Sequence, residues 1–406
     1  MRLGNAYAIN PSVDGDDNID ASFVPMEKVN PGMCSDFTYE TLPWKQAKKG
    51  HTRFENGDVA FAKISPCFEN RKAFIVTNLL NGIGAGTTEL IILRQPKILQ
   101  KYTYYSIMAD RFINGGVQTY SGTVGQQRIS MNYVRNYPIP LPPLAEQQRI
   151  VDRIERLFAK LDEAREKAQA VVDSFEDRKA AILHKAFTGD LTKKWREERG
   201  IGDDVWSSES FDKVAKIMSN LVDPSDYQGY PHIAPDNIEK KSGQLLEYRT
   251  IAEDKVKSGK HRFYAGQILY SKIRPYLSKV VVIDFDGLCS ADMYPIEAQK
   301  GMNTYFLWYY MLSDEFLEQA TTAGSRSVLP KINQKELSQI RIRVTCIEEQ
   351  VKIVKTLTSL FAQEQRARDL AESVLAQIDV MKKSILARAF RGELGTNDPS
   401  EPACEV

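Results

Sequence analysis

Apolar residues recur at alternating spacings of four and three along two long stretches of the chain. In the first, Ile150, Ile154, Leu157, Leu161, Ala164, Ala168, Val171, Phe175 and Ile182 keep one frame, broken only where Arg178 takes a seam position. In the second, Ile353, Leu357, Leu360, Ala367, Ala371, Val374, Ile378, Met381 and Ile385 keep the same frame, with Glu364 as the polar intruder. This period predicts two amphipathic helices that pair through their stripes. A helix of about 40 residues is about 60 Å long, too long to bury its stripe within one globular half. Pro138, Pro140, Pro142 and Pro143 stop any strand and launch the first helix, and Gly189 and Gly392 stand where a left-handed C-terminal cap belongs. An intramolecular pair is favoured over ordinary core helices or a homodimer zipper. A whole globular half separates the two helices, so the chain can return in either direction, and the pattern alone leaves their orientation open.

The helices are copies of each other. Glu146 to Leu191 aligns without a gap onto Glu349 to Leu394 at an offset of 203, with 18 of 46 positions identical. Glu-Gln-x-x-Ile-Val opens each copy and Ile-Leu-x-x-Ala-Phe-x-Gly-x-Leu closes it. The preceding segments repeat more faintly. Arg53-Phe54-x-x-Gly57 and Lys63-Ile64-x-Pro66 return as Arg262-Phe263-x-x-Gly266 and Lys272-Ile273-x-Pro275 at offset 209, after which Gln127-Arg128-Ile129 falls on Pro330-Lys331-Ile332 at offset 203. The chain is thus two copies of one unit, each a variable globular part followed by a helical part. The expected division is a globular domain at 1–140, a helical region at 141–196, a hinge near Arg196 to Ser207, a second globular domain at 207–345, a second helical region at 346–394 and a flexible tail at 395–406.

Both globular halves read as mixed α and β. Val59–Ile64, Ala73–Val76, Glu89–Leu93 and Val280–Ile283 have the length and β-branched content of strands, while Tyr102–Phe112 and Thr304–Gln319 read as helices. The fold class is α+β, two mixed domains alternating with two long helices.

Composition narrows the function. With 54 basic and 53 acidic residues among 406, the chain as a whole is no basic coat for nucleic acid. The charge is local instead: residues 41–140 hold 13 basic against 5 acidic side chains, and residues 255–345 hold 13 against 8. Two basic faces suit duplex DNA, where Lys and Arg displace counterions from phosphates and Asn, Gln, Ser or Arg on nearby loops reach base edges. The loop candidates are 65–72 and 121–128 in the first half, and 272–279 and 323–331 in the second. No stretch is long and apolar enough for a membrane span or a secretory leader, and the expected location is the cytoplasm. Five scattered cysteines and four histidines carry no metal-ligand or disulfide spacing.

A catalytic centre is not evident. Asn81-Gly82-Ile83-Gly84-Ala85-Gly86 resembles a glycine-rich cofactor turn, but Thr87–Ile91 reads as strand where a helix is required, so a hairpin or strand–strand loop is expected. No P-loop signature and no amino-methyltransferase pocket motif are present. Glu55, Asp58 and Lys63 are close enough to suggest a nuclease metal site, yet the second copy has Tyr264 and Gln267 in place of the acids, and a structural role is more economical.

Leu141-Pro142-Pro143-Leu144-Ala145-Glu146-Gln147-Gln148-Arg149-Ile150-Val151, closing in Ala186-Phe187-Thr188-Gly189-Asp190-Leu191, resembles the first conserved helical region of type I restriction-modification DNA specificity subunits. The second helix resembles their second such region, and the globular halves resemble their two target-recognition domains. The resemblance covers nearly the whole chain. One departure is Val344-Thr345-Cys346-Ile347 where the first copy has its prolines, which alters the second joint. What the resemblance implies is a non-catalytic reader of a split, asymmetric site in double-stranded DNA, with antiparallel helices as a ruler between the halves. Two modification subunits would dock on the helices, restriction subunits would add translocation and cleavage, and S-adenosylmethionine, ATP and Mg would bind those partners and not this chain. Matching residues, Lys63, Arg71, Lys72, Gln126, Gln127 and Arg128 are expected at the first half-site, and Lys272, Arg274, Lys279, Arg326 and Lys331 at the second. The Lys and Arg side chains would hold phosphates, with Gln126, Gln127 and Arg326 reaching bases. The rival readings are a stand-alone methyltransferase or nuclease, and a coiled-coil scaffold without affinity for DNA.

Overall fold

A computed structural model describes residues 1–123, 125–324, 330–401 and Cys404. The chain divides into two units, Met1–Gln169 with Glu372–Val406, and Ala170–Ala371. Each unit therefore owns the start of one long helix and the end of the other.

In the first unit, strands Ala8–Ile9, Leu90–Arg94, Val59–Ala62 and Ala73–Ile75 form one antiparallel sheet in that order, and Glu40–Pro43, Asp20–Val24, Ile83–Gly86 and Thr52–Glu55 form a second. Alternation explains the unbroken apolar runs. Val59, Phe61, Ile91 and Leu93 face the core beneath the helices, while Ala60, Leu90 and Ile92 face a second core with Phe54 and Phe74. A strand buried on both faces needs no polar positions. The glycine-rich stretch is itself a strand, not the hairpin loop its composition suggested. Ile83–Gly86 runs parallel to Asp20–Val24, and a Cβ at Gly84 would lie 2.8 Å from the Ser22 carbonyl oxygen. The glycine is there because backbones approach too closely for any side chain.

The second unit repeats this plan by itself. Ala215–Ile217, Met293–Ala298, Ile268–Ser271 and Val280–Val282 form the first sheet, and Lys260–Phe263, Gly287–Cys289, Pro231–Ile233 and Arg249–Thr250 the second. Gly287 replays Gly84, its Cβ position 2.9 Å from the Pro231 oxygen. The second unit adds one edge strand, Leu221–Val222, beside Lys260–Phe263. The helices expected at Tyr102–Phe112 and Thr304–Gln319 are each two helices. Gln100–Met108 breaks at extended Ala109 before Asp110–Val117, and Thr304–Met311 gives way to Asp314–Ala323, whose cap Ser313 accepts from the Phe316 N–H.

The long helices are Leu144–Asp173, continuing after a break at Ser174 as Phe175–Thr188, and the uninterrupted Ile347–Ala389. At the break the Ser174 hydroxyl shares the Ala170 carbonyl with its own N–H, and the Arg178 guanidinium reaches back to the Val171 carbonyl at 3.2 Å. Pairing is antiparallel in each unit. In the first, Arg165 meets Asp379 and Asp162 meets Lys382. In the second, the two polar intruders neutralise each other, the Arg178 Nε donating to Glu364 at 2.7 Å, while Leu183 and Phe187 pack with Ile353 and Leu357.

The seam agrees with the expected frame over most of its length and then drifts. Ile150, Ile154, Ile353, Leu357 and Ile378 are buried, and Leu157, Leu161, Val171, Ile182, Leu360, Val374 and Ile385 are half-buried. Ala367 and Met381, however, are exposed, and Arg368 and Lys382 take the inward positions, over the rings of Phe175 and Phe158 at 4.9 and 5.0 Å. A straight helix turns every 3.6 residues, so a stripe written at 3.5 rotates away over successive heptads. The stems of Arg and Lys fill the gap as apolar matter with a charged tip. Among the described residues no helix is long and apolar enough to cross a membrane.

The repeated Glu-Gln pair forms the joint of each unit. Gln147 accepts from the Leu99 N–H at 3.1 Å and donates to the Pro142 oxygen at 3.0 Å; Gln350 accepts from the Asn303 N–H at 2.8 Å and donates to the Gly301 and Thr345 oxygens. Leu99 and Asn303 are the N-caps of Gln100–Met108 and Thr304–Met311, so each glutamine fixes a globular part to a long helix. The glutamates face the segment that follows the opposing helix. Buried Glu349 accepts from Thr192 at 2.6 Å and from buried Arg196 at 2.5 Å. Buried Glu146 accepts from Thr396 at 2.8 Å, from the Asn397 N–H at 2.7 Å and from Arg149 at 2.8 Å. Two expectations change as a result. Arg196 begins no loose hinge but is a fastened core residue, and the tail is held down over Thr396–Glu401, with Glu401 paired to Arg149 at 2.6 Å.

Candidate nucleic-acid interface

The duplicated Lys-Ile-x-Pro motif ends a central strand in each unit, and the same loop crosses it. In the first, Lys63 donates its N–H to the Glu89 oxygen, its carbonyl accepts from Ile129, and the Ser65 N–H donates to the Gln127 oxygen, all at 2.8–3.0 Å. In the second, Lys272 donates to the Asp292 oxygen, its carbonyl accepts from Ile332, and the Arg274 N–H donates to the Pro330 oxygen, at 2.7–3.0 Å. Ile64 bridges Arg128 and Ile273 bridges Lys331 in identical fashion. The sequence offsets of 209 and 203 thus meet in space in both copies, and Lys63 with Gln126, Gln127 and Arg128, and Lys272 with Arg274 and Lys331, are brought together.

Each cluster has an acidic anchor that the sequence reading did not include. Arg128 grips Glu89 with two hydrogen bonds, 2.9 and 2.6 Å, and donates a third to the Gln126 carbonyl. These bonds hold the Glu89 carboxyl below the usual glutamate range. They also pin the loop and leave exposed Gln126 presented at its turn. Asp292 plays the same part, 3.9 Å from Lys331. Burial, reinforced by Lys331, lowers the Lys272 pKa, and its ammonium donates to the Ala291 carbonyl above the Tyr294 ring. Arg274 is exposed in a left-handed backbone conformation, φ 49°, uncommon for a residue with a Cβ. Its N–H bond to Pro330 holds it there. Lys260, also missed, enters the second cluster. Burial lowers its pKa against the opposing pull of Asp292, and its ammonium donates to Ser258 at 2.7 Å.

Three expected contacts are instead used inside the fold. Arg71 donates to the Met108 carbonyl at 3.1 Å and pairs with Asp110. Lys72 donates to the Met26 carbonyl at 2.8 Å, and Lys279 to the Pro235 carbonyl at 2.7 Å. Each of these bonds braces a loop, as the Lys272 ammonium does on the Ala291 carbonyl. Arg326 lies outside the described residues. The acids once weighed as a metal site are likewise structural. Asp58 is buried, binds Arg94 through both oxygens at 2.7 and 2.8 Å and accepts from the Glu55 N–H, while Glu55 pairs with Arg94 at 3.0 Å.

Two copies of one α+β unit, each with a basic strand end crossed by a pinned loop, define a duplicated recognition scaffold. The chain belongs to the type I restriction modification DNA specificity domain family, whose model matches residues 8–171 and 209–372. It is 39% identical over 282 residues to the EcoDI specificity subunit of Escherichia coli, covering 64% of this chain and 63% of that one. It is also 37% identical over 263 residues to the EcoAI specificity subunit of Escherichia coli, covering 61% of this chain and 44% of the relative. The matches thus span less than two thirds of either relative's length. The fold is similar to that of the HsdS subunit from Thermoanaerobacter tengcongensis, with a TM-score of 0.70, 18% identity and coverage of 97% and 96%.

Proposed function

We propose that the chain is the DNA-reading subunit of a type I restriction-modification complex, each globular half taking one part of a two-part duplex site. The observation that carries this reading is the duplicated constellation: Lys63 with the Arg128–Glu89 loop in one unit, and Lys272 with the Lys331–Asp292 loop in the other. Lys63 holds a phosphate, Lys272 lends its charge to the second cluster while its ammonium stays on the Ala291 carbonyl, and each phosphate neutralised releases counterions. Arg128 and Lys331 fix the loops so that neighbouring side chains meet base edges in a set geometry, with Gln126 and Gln127 as readers in the first unit. Two modification subunits dock along the long helices, and restriction subunits join them. S-adenosylmethionine, ATP and Mg bind to those partners, and methylation and cleavage take place there, in the cytoplasm.

The test is enrichment of a random-centre duplex library by the full chain, alone and with its modification subunit. A two-part motif with a fixed gap is expected. No enrichment by folded protein in either form removes the reading and leaves the scaffold. Gln127→Ala is expected to relax one base position in one half of the motif, whereas Lys63→Gln weakens all sequences and shallows the salt slope by about one phosphate equivalent.

A further inference from the structure

We propose that Arg262 reads a base edge, favouring guanine, in the half-site taken by the second unit. The inference rests on the DNA-reading function above and adds to it a residue and a device.

Arg262 sits in Lys260–Phe263, where alternation puts Phe263 into the core and turns Arg262 to the face shared with Lys260. Lys260 feels Asp292, the carboxylate that also faces Lys331, so Arg262 extends the basic cluster along one strand. Its guanidinium lies 4.8 Å from the Tyr264 ring centroid, 5.5 Å from Tyr227 and 6.0 Å from Tyr230. Tyr227 and Tyr230 also brace each other edge to face at 5.2 Å. Three rings fix the plane of the head group, and one of its donors also engages Tyr227. Among the described residues it has no carboxylate partner, and its Nε is buried without an acceptor. An arginine held rigid by rings, with no carboxylate to neutralise it, is prepared for a ligand carrying two acceptors in a plane.

A comparison within the chain separates a base from a phosphate. Arg53-Phe54-x-x-Gly57 is the same motif in the first unit, with Phe54 in the matching core, yet among the described residues Arg53 lies over no aromatic ring and Glu55 stands where the second unit has Tyr264. Tyr227 and Tyr230 follow the edge strand Leu221–Val222, which only the second unit has. Both half-sites offer the same phosphates but different bases. A device built into one copy alone fits what differs between them, and guanine presents O6 and N7 to a planar guanidinium in the major groove.

The experiment compares library enrichment and salt-dependent binding for the wild-type chain and the Arg262→Lys and Tyr264→Leu variants. Lysine keeps the charge and loses the planar fork. Expected is loss of preference at one guanine in one half of the motif, by about 10- to 100-fold for Arg262→Lys and less for Tyr264→Leu, with the other half and the salt slope unchanged. An unaltered motif would overturn the inference while leaving the DNA-reading function standing. So would a loss equal for all sequences, which marks a phosphate contact, or loss of both halves, which marks a folding role. A wild-type chain that enriches nothing overturns both readings together.

Discussion

Glu146 and Glu349 occupy equivalent positions in the repeat, and each is buried at the start of a long helix, yet they are satisfied by unlike means. Around Glu349 an internal connector supplies Thr192 and Arg196, the arginine itself buried. Around Glu146 the segment near the chain end supplies the Thr396 hydroxyl and the Asn397 N–H, and the cation is Arg149 from the same helix, about one-third exposed. The identity of the repeat therefore lies in the receptor, Glu-Gln, and not in what fills it. A buried carboxylate requires donors, but any donors of the right reach will do.

The largest expected effect is at the more buried pair. Glu349→Ala leaves buried Arg196 with Asp203 as its remaining carboxylate and orphans the Thr192 and Thr345 hydroxyls, so a loss of about 3 kcal/mol is expected in its unit, read by hydrogen exchange across Ile353–Leu357 and by chemical denaturation. Glu146→Ala leaves partly exposed Arg149 on Glu401 and orphans two lesser donors, so a loss of about 1–3 kcal/mol is expected, with exchange rising across Ile150–Ile154. Equal losses at the two sites would break the comparison. The smallest effect is a titration. Burial alone would raise the Glu146 pKa, but the bonds from Asn397, Arg149 and Thr396 outweigh it and leave it lowered. A depressed carboxyl stabilises in full above its unfolded pKa and loses that contribution as pH falls through its folded value. The wild-type advantage over Glu146→Gln, followed as melting temperature from about pH 6 to about pH 3, should therefore be greatest at the upper end and shrink toward the lower.

The periodicities made the α+β class, the two helices and the duplication readable before any coordinates. So was the equivalence of Lys63 and Lys272, because repetition singles out residues that composition cannot. What escaped was whatever depends on the third dimension. Nothing local tells Lys72 or Lys279 that a carbonyl of Met26 or Pro235 waits for its ammonium, or Arg71 that Asp110 lies alongside. Met381 failed through geometry, since a frame written at 3.5 residues rotates off a helix turning at 3.6. The glycines of Ile83–Gly86 read as a loop because close packing of parallel backbones leaves the same mark as a turn. Arg262 was visible as half of a repeated Arg-Phe motif, but its significance lay in tyrosines 35 and 32 residues upstream and two downstream along the chain.

The division of the helices also sets an order of assembly during synthesis. Residues 170–371 form one continuous unit, whereas residues 1–169 need 372–406 to complete theirs. A chain emerging from the ribosome therefore finishes its second unit first. The first waits for its last segment, and the Arg149–Glu401 pair closes a span of 252 residues. Contacts at such separation form late, because chain entropy must be given up before they return anything. The unit that begins the protein is the last to be built, and until then its half of the seam, Ile150 to Phe158, stays uncovered.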